Sequence, residues 1–132
     1  MGGIVFILED EKGLAQVLDI AVRRKKYTPV IASTFSHATS LLSICYPLPL
    51  LYLLDVNVPL GGTSCSYLQM VDVGGQFYDH LVFQKVFDVY PPPLCYFMTG
   101  MCSPHDELLA EKNNRSLLVK SSFDFFTKLM TF

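Results

Sequence analysis

Five polar side chains follow directly on apolar runs: Glu9 and Asp10 after Ile4–Leu8, Asp55 after 50–54, Thr99 after 94–98 and Lys120 after 117–119. Three acids, a hydroxyl and an amine on one rim are equipped for phosphoryl chemistry. Crowded carboxylates repel by roughly 1 kcal/mol per pair at about 4 Å in water, and by several-fold more in a partly buried site. A divalent cation removes that cost. Oxygen-only ligands select a hard ion, and Mg²⁺ takes one or two carboxylates together with waters and a phosphate. Asp55 is then a candidate nucleophile that could carry a phosphoryl group. Thr99 could donate to a phosphoryl oxygen, and Lys120 could neutralise its charge. Taken singly, an acid at a strand end is more often a helix cap or a solvated loop group; the set of five points to chemistry.

The elements that must position them follow from hydrophobic periodicity. Ile4–Leu8 is a continuous apolar run with β-branched residues, as a strand buried on both faces requires. Leu14, Val17, Leu18 and Ala21 follow helical spacing, and the run Arg23-Arg24-Lys25-Lys26 suits the negative end of that helix. A second strand is expected over 29–33. Ser36 is expected to cap a helix with Ala38, Leu41, Leu42 and Cys45 on its apolar face, broken by Pro47 and Pro49. Strands over 50–54, 94–98 and 117–119 follow. A third helix is expected over 76–90, with Gly74-Gly75 punctuating a loop before it and Pro91-Pro92-Pro93 ending it. Its aromatic residues Phe77, Tyr78, Phe83, Phe87 and Tyr90 either pack on the sheet or form a partner surface. Ser103-Pro104, with Asp106 three residues past the cap, starts a fourth helix. Ser122 is expected to cap a short last helix with Phe123, Phe126 and Met130 on one face. Five strand–helix alternations indicate an α/β fold with an open parallel sheet and helices on both faces. Such sheets bind ligands at the carboxyl ends of their strands, which is where the five polar residues fall.

Composition narrows the field. At 132 residues, one domain spanning 1–132 is expected. A formal charge of −2 argues against direct nucleic-acid binding, which needs a basic excess. Hydrophobic residues at 51% exclude intrinsic disorder. Mean hydropathy of +0.35 points to a buried sheet or to an extra interface, for which a second copy or an output partner is the expected occupant. The longest apolar stretch, 44–54, is too short for a membrane span and contains two prolines, and no secretory signal is visible. Cys45, Cys65, Cys95 and Cys102 form no CxxC pair, so they are expected as reduced thiols in a cytoplasmic protein rather than as zinc ligands. No Gly-x-Ser-x-Gly or P-loop is present, and His37, His80 and His105 have no nucleophile at triad spacing.

The segments Ile4-Val5-Phe6-Ile7-Leu8-Glu9-Asp10-Glu11, Leu53-Leu54-Asp55-Val56-Asn57-Val58-Pro59-Leu60-Gly61-Gly62, Phe97-Met98-Thr99-Gly100 and Leu118-Val119-Lys120 together resemble the receiver domains of two-component response regulators, of the chemotaxis-regulator kind. The resemblance covers most of the chain. It implies a flavodoxin-like (βα)5 fold with strand order 2-1-3-4-5. It also implies Asp55 as phosphoacceptor, and Glu9 and Asp10 as the acid pair for Mg²⁺. Asn57 would contribute its backbone carbonyl to the metal, Thr99 would be the switch hydroxyl and Lys120 the conserved-type lysine. A histidine kinase or phosphotransfer protein would supply the phosphoryl group.

Three features depart from the family pattern. Ser121 stands where a proline usually follows the lysine. A non-proline cis bond costs about 3 kcal/mol, so a trans peptide with a displaced Lys120 is expected. Leu117 stands where an aromatic switch residue is usual. The stretch from Asp55 to Thr99 is longer than the family's, with the excess, an atypical insertion, within 62–93. With Leu117 unable to follow the hydroxyl, that enlarged segment between strands 3 and 4 is expected to carry any signal. These departures keep a second reading open: a pseudo-receiver serving as an interaction or dimerisation module without phosphoryl transfer. A haloacid-dehalogenase-type phosphatase also starts from an Asp after a strand. It needs a second Asp where this chain has Asn57 and a Thr where it has Pro59. The length leaves no room for an attached DNA-binding domain, so a stand-alone regulator or a receiver cut from a larger protein is expected.

Overall fold

The structure is a computed structural model, and it describes residues 2–57, 73–100 and 103–131. Strands β1 (Ile4–Leu8), β2 (Thr28–Ala32), β3 (Leu51–Asp55), β4 (Leu94–Thr99) and β5 (Ser116–Val119) form one parallel sheet in the order β2-β1-β3-β4-β5. Helices α1 (Lys12–Arg24), α2 (Phe35–Ile44), α3 (Val73–Phe83), α4 (Pro104–Lys112) and α5 (Phe125–Leu129) alternate with the strands. This is the flavodoxin-like, doubly wound α/β fold. α1 takes the chain outward from β1, while α2, α3 and α4 carry it the other way. Right-handed crossovers therefore put α1 on one face and the next three helices on the other.

Side-chain alternation along the strands builds two cores. On one face Phe6, Leu8, Tyr52, Leu54, Cys95 and Phe97 meet Ala38 of α2, Val73, Phe77 and Leu81 of α3, and Ala110 of α4. On the other, Val5, Ile7, Leu51, Leu53, Met98 and Leu118 meet Leu18 and Val22 of α1, and Phe125 and Leu129 of α5. A helix as short as α5 has no stability of its own. Burial of Phe125 and Leu129, at about 2 kcal/mol each, holds it in place.

Several helix boundaries differ from those expected. Thr34, not Ser36, caps α2, accepting from the His37 N–H at 3.0 Å. The buried stripe of α1 is Leu18 and Val22, and Val17 faces solvent. α5 starts after Asp124, with no side-chain cap. The later start rotates its face, so Phe125 and Leu129 turn inward and Phe123 is fully exposed.

The largest difference concerns α3. It begins at Val73, so Gly74 and Gly75 lie in its first turn rather than in a loop, and it ends at Phe83, well before the prolines. A Cβ on Gly74 would lie 2.4 Å from the Asp55 carbonyl oxygen and 2.8 Å from Val56 Cα. Glycine is required there because the helix seats directly on the end of β3, where the Gly74 N–H donates to Val56 O at 3.0 Å. The aromatic residues of this region divide between packed and exposed. Phe77 stacks on Phe6 with centroids 5.6 Å apart, and Tyr78 packs on Phe97 and Phe87. Phe83 and Tyr90 are exposed. The Val58–Gly62 part of the Asp55 motif, the 62–72 part of the expected enlargement, Cys65 and Cys102 lie outside the described residues. Cys45 and Cys95 are free thiols, the latter buried. Among the described residues no helix is long and apolar enough to cross a membrane.

Candidate functional site

Strand order 2-1-3 makes the chain leave β1 and β3 in opposite directions, which opens a crevice at their carboxyl ends. Register decides what lines it. Leu8 pairs with Leu54, so Glu9 emerges beside Asp55. Asp55 pairs with Met98 and Thr99 with Val119, so Thr99 and Lys120 follow on the same rim. The ladder continues beyond the strands through Val56 N to Met98 O and Lys120 N to Thr99 O. A cavity of about 370 Å³ results, lined by Glu9, Asp10, Glu11, Asp55, Asn57, Gly100 and Lys120.

Its electrostatics are unusual for a surface cleft. Glu9 and Asp55 are almost fully buried, and Asp10 is half-buried. One carboxylate oxygen from each of the three lies within 4.8 Å of the others. Lys120 Nζ reaches Asp55 Oδ2 and Glu9 Oε1, each at 2.7 Å. The first contact is also an aligned hydrogen bond, whereas Glu9 Oε1 is paired by charge without one. The Lys120–Ser121 peptide is trans, and the lysine nonetheless reaches both acids. The remaining acid oxygens accept from the backbone: Asp55 Oδ1 from Asn57 N at 3.1 Å, and Glu9 Oε2 from Glu11 N at 3.1 Å.

Three acids facing one ammonium leave the cavity negative. Burial pushes the Asp55 carboxyl up to about 7, with Glu9 adding to the rise and Lys120 opposing it. Asp10 is raised for the same reasons, burial first and Glu9 second. Burial pulls Lys120 down, but Asp55 and Glu9 outweigh it and hold the ammonium above its ordinary value. The donor set fits a hard divalent cation. It is all oxygen, it is compact, and two of its three carboxyl groups are buried. Such a cation would relieve the repulsion that raises Asp55 and Asp10.

Glu9, Asp10, Asp55, Asn57 and Lys120 thus meet in one cavity, with the Asn57 N–H turned to Asp55. Thr99 is on the same rim but does not line the cavity; its Oγ1 donates to Asp106 Oδ2 at 2.9 Å. Asp106 is the residue that sequence reasoning missed in this role. Its position three past Ser103 marked it as part of a helix cap, which it is, and nothing in local spacing tied it to Thr99.

No family model matches the chain, and no curated protein matches it in sequence. Solved structures do. The non-phosphorylated HemR receiver domain of Leptospira biflexa is 19% identical with a TM-score of 0.66, covering 98% of this chain and 90% of that one. A chemotaxis protein of Vibrio cholerae is 16% identical at a TM-score of 0.70, covering 98% and 96%. The receiver domain of a LuxO repressor protein from Vibrio parahaemolyticus is 18% identical at 0.70, covering 98% and 87%. The fold is that of response-regulator receiver domains.

Proposed function

We propose that this chain is a phosphoacceptor receiver domain of two-component signalling, phosphorylated on Asp55 with Mg²⁺. One observation carries the reading: in a receiver fold, Lys120 bridges Asp55 and Glu9 inside an acid-lined cavity at the switch point of the sheet. An Asp55 carboxylate oxygen attacks the phosphorus of a phosphohistidine on a histidine kinase or phosphotransfer protein. The O–P bond forms, the P–N bond breaks, and the imidazole takes a proton from solvent. Lys120 lies where it neutralises charge on the transferring group. Glu9, Asp10, Asp55 and the Asn57 backbone carbonyl would hold Mg²⁺, which when bound stabilises the charge on the phosphoryl oxygens. The domain is regulatory: it takes part in its own phosphorylation and dephosphorylation and turns over no separate substrate. Delivery by such kinases places it in the cytoplasm, and its formal charge of −2 suits a protein partner rather than nucleic acid.

A second reading, an interaction module without phosphoryl transfer, draws on the exposed apolar side chains Phe83, Val89 and Tyr90 and on Leu117 in place of a ring. Intact mass after incubation with acetyl phosphate and Mg²⁺ decides between them. The wild-type chain should gain one phosphoryl group and Asp55→Asn should gain none. An unmodified wild type would count against phosphoryl transfer and favour the interaction module, and equal labelling of both would remove Asp55 from its role.

A further inference from the structure

The hydrogen bond that turns Thr99 away from the cavity also closes a helix. Thr99 Oγ1 donates to Asp106 Oδ2 at 2.9 Å, and both residues are buried. The same carboxylate oxygen accepts from Ser103 N at 3.4 Å, while Ser103 Oγ accepts from Asp106 N at 3.2 Å. This reciprocal pair forms the first turn of α4. The last residue of β4 and the cap of α4 therefore share one oxygen atom.

A threonine hydroxyl has a single proton. It can be donated to Asp106 or to an oxygen carried on Asp55, but not to both. We propose that Asp106 is a positioning residue that retains the Thr99 hydroxyl in the unphosphorylated arrangement. When Thr99 donates instead to a phosphoryl oxygen on Asp55, the α4 cap is released. The inference rests on the phosphoacceptor reading and deepens it.

The energetics favour release at α4 over the sheet. Among the described residues, losing the Thr99 donor leaves the buried Asp106 side chain with the longer Ser103 contact alone, and a buried charge short of a donor is costly. Water or a shifted helix end must then satisfy it. α4 is poorly anchored against such a shift. Ala110 is its one fully buried apolar residue, Leu109 is half-buried, and Leu108 faces solvent. An element with few buried apolar contacts opens locally at low cost. β4 behind it is locked between β3 and β5. This route needs no ring at Leu117.

Two measurements separate this inference from the reading beneath it. In the metal-free protein, Thr99→Val should speed amide exchange at Asp106 and Glu107 roughly tenfold, with the β3 and β4 amides unchanged. Unaltered protection in α4 would overturn the Thr99–Asp106 link and leave the role of Asp55 standing. The second measurement is beryllofluoride binding with Mg²⁺ by calorimetry, on wild type, Asp106→Ala, Thr99→Val and the double variant. Asp106→Ala should bind roughly tenfold tighter than wild type, and the gain should vanish in the Thr99→Val background. Asp106→Asn retains a neutral acceptor for the cap and should show a smaller gain, so the comparison survives if Asp106→Ala fails to fold. A gain that persists without the Thr99 hydroxyl, or no gain in a folded variant, overturns the proposal. Absence of binding to wild type refutes the phosphoacceptor reading and the proposal with it.

Discussion

Replacing Asp55 by asparagine should stabilise the metal-free protein at neutral pH, although it removes the residue at the centre of the site. The carboxyl is almost fully buried, and burial together with Glu9 raises it from 3.8 to about 7 against the pull of Lys120. That rise is roughly three pKa units at about 1.36 kcal/mol each, so the ionised group opposes folding by up to about 4 kcal/mol above pH 7. The unfolded chain releases this proton near 3.8, while the folded chain keeps it until about 7. Between those values the folded state binds more protons, so wild-type stability falls as pH rises, and asparagine has no such loss. Urea unfolding in a chelator, followed by far-UV circular dichroism because the chain has no Trp, reads the effect at several pH values. The variant should match wild type near pH 4, gain through pH 4 to 7, and level off about 2–4 kcal/mol more stable at pH 8. Mg²⁺ should narrow the gap, since a ligand of the folded wild type at ten times its Kd adds about 1.4 kcal/mol. A variant less stable than wild type at pH 8, or a difference independent of pH, would refute the reasoning.

Gly74→Ala should destabilise by about 1–3 kcal/mol, because its methyl group meets the backbone of Asp55 and Val56, which cannot yield as a side chain would. If Asp55 is the phosphoacceptor as proposed, the same variant should weaken beryllofluoride binding, since the displaced atoms belong to Asp55 and Val56. Among the described residues the buried Tyr52 hydroxyl has no hydrogen-bond partner, so Tyr52→Phe should leave stability unchanged or raise it by about 1 kcal/mol in thermal unfolding. A clear loss would show that the hydroxyl has a partner.

The strands were readable because burial on both faces writes itself as unbroken apolar runs, as in Ile4–Leu8. Once the strands are known, parallel topology alone brings Glu9, Asp55, Thr99 and Lys120 to one rim, which is why the rim residues could be named from sequence. Helix starts were less legible. Thr34 and Ser36 are both competent caps, and only the strand's exit path selects the earlier one. Phe123 and Phe125 are equally apolar, and a helix that starts late chooses between them. Gly74-Gly75 looked like loop because glycine disfavours helices. The structure places them in one because contact with β3 leaves no room for a side chain. The Thr99–Asp106 bond was invisible for a different reason. It joins two elements across a turn, and no periodicity records such a pairing.

The seating of α3 on β3 has a consequence for how such a domain can diversify. Val56 O and Gly74 N are hydrogen-bonded neighbours, so the chain between them leaves and returns at one point. Closing a longer loop over a fixed span costs only about 0.6 kcal/mol per doubling of its length. Residues can be gained or lost between these two points without asking the sheet to readjust. The number of residues between Val56 and Gly74 can therefore change while Asp55, Glu9 and Lys120 keep their spacing, so the geometry of the acid cavity is independent of that length.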